Sequence, residues 1–531
     1  MSRSPDDTPR GERTRLAAIV AWTAAALVLL SLIVTLDRNP TNESDAQLYA
    51  AIAHSWLKDG SGVPSVIRNS PSAVDHVAFY GPVYFDLTAI SFRIVGPTKV
   101  GARIVSLAGA ILLALAAALL SSALGGPGWP WSCLIVLLAP EVRDAATDGT
   151  METLAVGLSV AGLALFVRAL TSPRHAAVCS IAAGVALGLA ALTTPRTYPF
   201  IAAFLAAGLL RVALDRQGGR RLLTTTACLL LVVAAWTTHY HGSVIAWARY
   251  MAFVLTHEDS DVAIIGPRMW AFGRSRTITP LFVAVAGIAA AWLLDRAARA
   301  GRRNLPAEFA LLAAWIALVV TFVGMDLTFL FGIYFAVPLL VVVAALPWAR
   351  LEADPRAVKA AAATLLAAFA GLTLLTDARV ALTWVARDPE RVTTFVRAHV
   401  PHGAAVIGPE GRYFFAVENA GASYWTADAN SFADWTRWVP AIDPGATAAA
   451  RRLPPLAPPV DRFLLWPADD WLPEGYDCAA GHRVAAYRTA PPSVPALSEW
   501  LGGLDVGYPN ASLYRLPPGC PSGYDPTRQR R

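Results

Sequence analysis

The side chains best suited to acid–base chemistry or to anion binding lie at the ends of long apolar segments, not within them. An acid in such a place can act as a general base, and an arginine can bind a phosphate through its planar guanidinium. Ionisable groups close to a bilayer are costly and usually serve a function, although ordinary loop polarity is the competing explanation for any single one. The set predicts a polar cavity at one end of the apolar segments, and it comprises Glu43, Asp45, Glu141, Arg143, Asp144, Asp148, Glu152, Arg196, His239, His241 and Asp326.

The apolar segments themselves indicate a membrane protein. Of the 531 residues, 55% are hydrophobic and only 15% are charged, whereas soluble domains have about 25% charged residues. Almost no charge interrupts the segments Leu16–Leu36, Arg103–Leu124, Leu222–Trp236 and Leu327–Trp348. Each is close to the roughly 20 residues needed to cross the hydrocarbon. This composition excludes disorder, a collagen-like chain and a small disulfide-rich domain.

Eleven membrane spans are predicted, so the chain is expected to be a mainly α, polytopic membrane protein. Arginine-rich loops alternate with arginine-poor loops, and positively charged loops face the cytoplasm. This pattern places residues 1–15 in the cytoplasm and residues 377–531 outside it. The membrane domain covers 16–376, and its long loops 37–100 and 239–278 are expected on the outer side. The predicted spans are 16–36, 101–123, 130–143, 151–167, 176–193, 198–214, 222–238, 279–295, 307–324, 328–348 and 358–376.

The basic residues also indicate a location. Of the 44 lysines and arginines, only Lys58, Lys99 and Lys359 are lysines, a usage typical of GC-rich bacterial genes. We therefore expect a multi-pass protein of a bacterial plasma membrane, in contact with membrane lipids. The positive loops account for the net charge of +6, so no nucleic-acid partner is expected.

Residues 377–531 are predicted to form a small extracytoplasmic domain of the α/β or α+β class. Half of the 38 prolines follow residue 385, and no segment there is long enough to span a membrane. A helix is predicted at Pro389–His399. Short apolar stretches predict strands at Ala404–Ile407, Arg462–Trp466, Val484–Tyr487 and Ser512–Leu516.

Cys478 and Cys520 are the only cysteines in this predicted outer domain. Because thiols outside the cytoplasm are commonly oxidised, we predict a disulfide between them. Loop 239–278 contains histidines and acids, but their spacing matches no metal-ligand pattern. Loop polarity explains them better, and we expect neither a metal nor another cofactor. The remaining cysteines are interpreted as buried thiols within spans: Cys133, Cys179 and Cys228.

A helix is predicted in the first outer loop. Segment Ser44–Gln47 has the capping-box pattern, with the serine as N-cap and the glutamine three residues later. Leu48, Ile52 and Trp56 follow at intervals of four and form one apolar face, and Gly60 can end the helix. This pattern is typical of a helix that lies in the membrane interface.

Asp45 lies in the first turn of this helix, where the macrodipole favours an ionised carboxylate. One interpretation is that the acid only stabilises the helix. The other is that a rigid element holds the carboxylate beside the membrane, where it is available as a general base.

An aromatic-rich segment, Asp75–Asp86, follows in the same loop. Pro82 is predicted to begin the next helix and to hold Tyr80 and Tyr84 near the lipid head groups. These aromatic residues either belong to the interfacial belt or line a site, and His76 lies beside them in the sequence.

Three of these segments resemble the membrane glycosyltransferases of the GT-C fold, in particular the protein mannosyltransferase-like group (glycosyltransferase family 39). Ser44–Ala50 is similar to that family's acidic loop motif, in which a tyrosine follows the acid. Tyr80–Tyr84 is similar to its Pro-Leu-Tyr-like helix start. Val95–Ser106 includes Arg103 at the place of the arginine that opens the family's next span.

Two further elements carry the resemblance along the chain. The spacing of Arg143 and Asp148 resembles the family's second-loop Arg…Asp element, and Thr193–Arg196 stands where the family has a Thr-Lys-Pro-like basic element. The resemblance covers residues 16–215 by motif and the later spans by architecture only. Family members often have two adjacent acids in the first loop, whereas Ala46 follows Asp45 here.

The resemblance implies specific roles for the residues that match. Asp45 is the expected general base, Asp148 is expected to orient the acceptor or the base, and Glu43 is the nearest additional acid. An arginine is expected to hold the phosphate of the sugar donor, because a guanidinium forks onto two oxygens. The expected donor-binding residues are Arg196, Arg143, His76, Tyr80, Tyr84 and Arg103.

The expected function is therefore an inverting transfer of a sugar, a mannose-like hexose or a pentose. The donor is a polyprenyl-phosphate sugar, and the acceptor is an extracytoplasmic glycan, lipid or protein. The main alternative is a multi-pass transporter or lipid flippase, but transporters usually have charges and broken helices near the midplane, and the predicted spans lack mid-span charges. A membrane scaffold with a partner-binding outer domain is a third possibility.

Overall fold

The computed structural model describes about half of the chain. The predicted spans at 279–295, 307–324 and 328–348, and nearly all of 358–376, lie outside the described residues, as does most of loop 239–278. The described residues are 8–36, 44–59, 82–124, 129–215, 218–241, 245, 370–371, 373–375, 377–378, 389–409, 413–426, 461–468, 471–473, 476–488 and 510–520.

The N-terminal part is entirely helical where it is described. Five of its helices contain segments that are long and apolar enough to cross a membrane: Ala18–Thr35, Lys99–Ala123, Glu152–Thr171, Pro173–Ala191 and Gly219–Thr238. Large apolar side chains such as Trp22, Leu30 and Leu231 are exposed on the outside of these helices, as expected for surfaces in contact with lipid. The helices are α1 (Thr8–Thr35), α2 (Ser44–Asp59), α3 (Val83–Val95), α4 (Lys99–Leu124), α5 (Trp129–Leu138), α6 (Pro140–Asp148), α7 (Glu152–Thr171), α8 (Ala176–Ala191), α9 (Tyr198–Asp215) and α10 (Gly219–His241).

The predicted span at 130–143 is wrong, because two helices occupy this segment. α5 ends at Leu138 and α6 begins at Pro140. A proline has no amide hydrogen and its ring clashes with the preceding turn, so it breaks a continuing helix but fits the first position of a new one. The segment is as apolar as the prediction requires, but Pro140 divides it into two helices.

Helices α4 and α7 pack closely through small residues. A Cβ atom added to Gly109 in α4 would lie 2.4 Å from the backbone nitrogen of Leu154 in α7, and one added to Gly157 would lie 2.7 Å from the carbonyl oxygen of Gly109. Small residues at such crossings let two backbones approach, which is how helices without a hydrophobic driving force associate in lipid. The contact fixes the start of α7 relative to α4.

The C-terminal part contains a five-stranded sheet with two described helices. The strand order is β2-β1-β3-β5-β4; β1 is parallel to β2 and β3, and β5 is antiparallel to β3 and β4. The helix predicted at Pro389–His399 is confirmed, and the four predicted strands are confirmed within about one residue. The elements are α11 (Pro389–His399), β1 (Ala405–Gly408), α12 (Phe414–Asn419), β2 (Ser423–Thr426), β3 (Arg462–Pro467), β4 (Arg483–Tyr487) and β5 (Ala511–Arg515).

Helix α12 and strand β2 were not predicted. Each is short, at six and four residues, and neither repeats its apolar pattern often enough to be recognised from sequence.

The structure also contains a disulfide between Cys478, in a 3-10 turn, and Cys520, which follows β5. Their Cα atoms are 6.0 Å apart.

Helix α2 begins at Ser44 and ends at Asp59, as the sequence predicts. The predicted apolar face is not the only buried one, however, and the location in the membrane interface stays a prediction. Side chains on several faces of α2 are buried, including Gln47, Ala50 and Ile52, because α2 packs against α3 on one side and against α12 on another. The amphipathic pattern alone did not indicate this second contact.

Candidate functional site

Three helices begin at one place in the bundle. The amide of Val83, at the start of α3, donates to the carbonyl of Leu192 at 3.3 Å. Nη1 of Arg196, in the turn before α9, donates to Oε1 of Glu152, the first residue of α7, at 2.8 Å. Helix starts present unpaired N–H groups and a partial positive charge, so they favour a bound anion. We call Val83, Tyr84, Glu152, Arg196 and Gly149, described below, the helix-start cluster.

Local sequence explains why the helices begin here. Pro82 directly precedes α3, and Pro195 opens the 3-10 turn Pro195–Thr197 that leads into α9. Both prolines have a backbone angle suited to a helix start and lack the amide that would be unpaired there. The Thr194 side chain accepts from the Arg196 amide at 3.4 Å. Gly149 ends α6 with a φ of 82°, a left-handed conformation that glycine adopts without strain, and so turns the chain into α7.

Glu152 and Arg196 form a largely buried ion pair. The exposed fraction is 5% for the Glu152 side chain and 16% for that of Arg196. Oε2 of Glu152 is buried and has no hydrogen-bond partner among the described residues. The carboxylate therefore fixes the guanidinium at the helix starts, and the arginine keeps some access to solvent or to a ligand.

Tyr84 is fully buried beneath this ion pair, not part of an aromatic belt at the head groups. Its hydroxyl donates to the carbonyl of Gly149 at 2.5 Å, and burial raises the pKa of this phenol, so it remains a neutral donor. Ser106 donates to the carbonyl of Thr150 and accepts, through its own carbonyl, from the Thr153 hydroxyl, both at 2.6 Å. These bonds hold the Gly149 turn and the start of α7 against α3 and α4.

Arg103 has a structural contact in this fold. Its side chain is 1% exposed, and Nη1 donates to the carbonyl of Leu36 just after α1 at 2.5 Å. A carbonyl at a helix C-terminus needs such a donor, and a cation there also suits the dipole. The contact connects α1 to α4.

Arg143, in α6, forms a second largely buried ion pair, with Asp377. Nη2 donates to both carboxylate oxygens of Asp377, and the side chains are 9% and 13% exposed. Nη1 is buried and has no hydrogen-bond partner among the described residues. In the sequence, the one indication of a role for Asp377 is its position directly after the last apolar segment.

Of the predicted acids, Asp148 lies next to the helix-start cluster, and the backbone of Asp45 is described in α2. Asp148 is half-buried, ends α6 and directly precedes Gly149. Asp45 lies in the first turn of α2, and the ring of Tyr49, one turn later, contacts the ring of Tyr84 with centroids 6.2 Å apart.

The predictions for Glu43, His76 and Tyr80 fall outside the described residues. Glu152 was among the acids noted at segment ends, but its pairing with Arg196 was missed, because nothing local links two residues 44 positions apart. In the described part of the chain, no three His, Cys, Asp or Glu side chains are grouped to hold a metal ion.

Comparison with known proteins supplies the fold. No family model matches the chain, and no curated protein matches it. The structure is similar to ArnT from Cupriavidus metallidurans bound to undecaprenyl phosphate, with 14% identity, coverage of 95% of this chain and 98% of ArnT, and a TM-score of 0.57. The archaeal oligosaccharyltransferase AglB from Archaeoglobus fulgidus, in complex with an inhibitory peptide and a dolichol-phosphate, shows 13% identity over 85% of this chain and 69% of its own, with a TM-score of 0.46. The likeness to ArnT, together with the apolar helices and the small C-terminal sheet, shows that this chain has the GT-C fold of membrane glycosyltransferases.

Proposed function

We propose that this protein is a membrane glycosyltransferase that moves a sugar from a polyprenyl-phosphate donor to an acceptor outside the cytoplasm. The observation that carries the proposal is the helix-start cluster, where three helix starts and Arg196 provide positive charge beside the first turn of α2. Such a place suits a phosphate. The similar ArnT structure is described as bound to undecaprenyl phosphate, which agrees with a lipid phosphate as the ligand.

Arg196 is the residue that we assign to the donor phosphate. It is more exposed than Arg143, whose guanidinium binds both oxygens of Asp377. A guanidinium stays charged at all relevant pH values and can fork onto two phosphate oxygens. The polyprenyl tail then lies along the exposed apolar faces of the helices, and His76 and Tyr80 complete the donor site as the resemblance implies.

Asp45 is the proposed general base. It removes the proton from an acceptor hydroxyl while that oxygen forms a bond to the anomeric carbon of the sugar. The bond from this carbon to the phosphate oxygen breaks, its electron pair leaves with the polyprenyl phosphate, and the configuration inverts. Asp148 orients the acceptor or the base, Glu43 is the nearest additional acid, and this proton transfer requires only hydrogen-bond reach.

The distribution of arginines supports the proposed orientation. We propose that the tail 1–15 lies in the cytoplasm of a bacterium and the donor site at the outer leaflet of the plasma membrane, because arginine-rich loops face the cytoplasm. The membrane domain then comprises 16–376, and 377–531 is an extracytoplasmic domain. The sugar class proposed is a mannose-like hexose or a pentose, and the acceptor is a glycan, a lipid or a protein.

The test uses membranes containing the full chain, supplied with labelled polyprenyl-phosphate hexoses and pentoses. Asp45→Asn keeps the shape of the side chain but removes its basicity, so transfer should fall by about 100-fold or more. Asp461→Asn is the matched control, because this exposed acid pairs only with the exposed Arg515 among the described contacts.

Full transfer by a well-folded Asp45→Asn variant would eliminate the base assignment. Movement of the labelled lipid across the membrane without any transfer, in the wild type, would instead support the transporter and contradict the proposal.

A further inference from the structure

We infer that the C-terminal domain contributes to catalysis by packing against α2, the helix that carries Asp45, and so holding it in position. In this contact, which we call the clamp, His54 is the positioning residue. The inference rests on the proposed function for its effect on catalysis. Its structural part, the clamp itself, can be tested without any activity.

Opposite faces of helix α2 pack against two different parts of the structure, α3 and α12. At 3.6 residues per turn, Tyr49 follows Asp45 by about one turn and lies on the same face, whereas His54 follows Asp45 by about two and a half turns and lies on the opposite face. Each face of α2 therefore makes its own contact, and the two contacts together fix the position of the helix.

The face of Tyr49 packs on the membrane domain. The ring of Tyr49 meets those of Tyr84 and Phe85 edge-on, with centroids 6.2 and 6.0 Å apart. Ile52, on the same face, is fully buried. Because Tyr84 in turn donates to Gly149 beside Glu152, this face sets the distance between the start of α2 and the proposed phosphate site.

The opposite face packs on the C-terminal domain. The His54 ring meets the Phe414 ring of α12 edge-on at 5.9 Å, and His54 Nδ1 lies 3.9 Å from Oε2 of Glu418. The other oxygen of Glu418 accepts from the backbone amide of Tyr424 in β2 at 3.0 Å. The carboxylate that lies near His54 is thus hydrogen-bonded to the sheet of the C-terminal domain.

The composition of α2 makes a clamp necessary. The helix is 16 residues long, and most of the stability of a helix in a protein comes from tertiary packing. Of the eight residues of α2 that the structure describes as buried, four are alanines, Ala46, Ala50, Ala51 and Ala53, and each alanine provides little apolar area. Packing on one side only would leave α2 free to tilt, whereas packing between two layers holds it.

Movement of α2 affects Asp45 directly. A general base must stay within hydrogen-bond reach of the acceptor hydroxyl, and a displacement of about 1 Å can cost up to about 100-fold in rate. Loosening the clamp should therefore lower kcat more than it changes the KM for the lipid donor, because His54 lies on the face of α2 opposite Tyr49, which contacts Tyr84 of the helix-start cluster.

The test compares three variants of the full chain in membranes. His54→Ala removes both the ring contact and the partner of Glu418, and it should lower kcat about tenfold. His54→Gln keeps a polar side chain of similar reach near Glu418 and should recover part of the loss. Arg515→Ala, which breaks an exposed ion pair elsewhere in the C-terminal domain, is the matched control and should change nothing.

Hydrogen exchange of the same proteins measures the clamp without activity. In His54→Ala, amides of residues 44–59 should exchange faster, while those of 99–123 in α4 stay protected. This result supports the clamp even where the wild type transfers no sugar, an outcome that would contradict only the proposed function.

Two outcomes would overturn the inference. One is unchanged exchange in 44–59 together with unchanged kcat in His54→Ala. The other is an equal loss of protection in α2 and α4, because His54 would then stabilise the whole fold and have no specific effect on the position of Asp45.

Discussion

At the scale of single residues, the site depends on how Glu152 holds Arg196. Burying an ion pair is costly because both charges lose water. Here the carboxylate lies at the start of a helix, where the helix dipole stabilises an anion and so reduces this cost. Only one oxygen of Glu152 is bonded to the guanidinium in the described structure. The pair therefore orients the planar head group of Arg196, whose side chain stays 16% exposed.

Replacing Arg196 with lysine should weaken donor binding. An ammonium keeps the charge but cannot fork onto two phosphate oxygens, so the KM for the donor should rise about tenfold, the size of one charged hydrogen bond, with a smaller effect on kcat. Arg174→Lys is the matched control, since Arg174 is exposed in the 3-10 turn Pro173–His175. Steady-state kinetics in membranes measure both, and an unchanged KM in Arg196→Lys would refute the phosphate assignment.

At the scale of elements, the site is located by where helices begin and by how closely they cross. The start of α7 supplies Glu152, and the crossing of α4 with α7 at Gly109 and Gly157 determines where that start lies. Pro140 likewise ends one helix and begins another, so that α6 leads to Asp148 and the Gly149 turn. The polar residues are thus placed by helix ends that small residues and prolines define.

Substituting Gly109 with alanine should destabilise the membrane domain. The added Cβ would lie 2.4 Å from the backbone of Leu154, and overpacking of this kind typically costs about 1–3 kcal/mol. Gly371→Ala provides the control, because a Cβ there has no atom of the described residues within 4 Å. Thermal unfolding in detergent should show a lower midpoint for Gly109→Ala only, and equal midpoints for the two variants would contradict the close crossing.

At the scale of the whole molecule, the N-terminal helices and the C-terminal sheet share one apolar core. Buried residues of α2, α3, α4 and α7 form a continuous cluster with those of α11, α12 and the sheet. Arg143 and Asp377, which are 234 positions apart, add a charged link between α6 and the region that precedes the C-terminal domain. The two parts are therefore expected to act as one unit in catalysis.

The disulfide gives a test of the proposed orientation of the whole chain. Of the five cysteines, Cys133, Cys179 and Cys228 are free. Denatured protein from membranes should therefore label three thiols without reductant and five with it, because a domain outside the cytoplasm is oxidised. Labelling of all five without reductant would contradict both the bond and the outer location of residues 377–531.

Much of the fold was predictable because it depends on local pattern. Apolar length identified α1, α4, α7, α8 and α10, and proline or capping residues identified the starts of α2, α3 and α11. The errors arose where a contact between distant segments, or a single proline in an apolar segment, overrode the pattern. The burial of α2 on two faces is the clearest case, since nothing in its own 16 residues shows that α12 packs against it.

The sequence by itself determined that this is a membrane protein, where most described helices and strands begin, and which residues could do chemistry. These properties follow from apolar length, periodicity and the chemistry of single side chains, all of which are local. Only the tertiary structure decided that Arg196 meets Glu152, that Arg143 meets Asp377 and that His54 faces Glu418. Each of these pairs joins residues far apart in the chain, and such contacts depend on how whole helices pack.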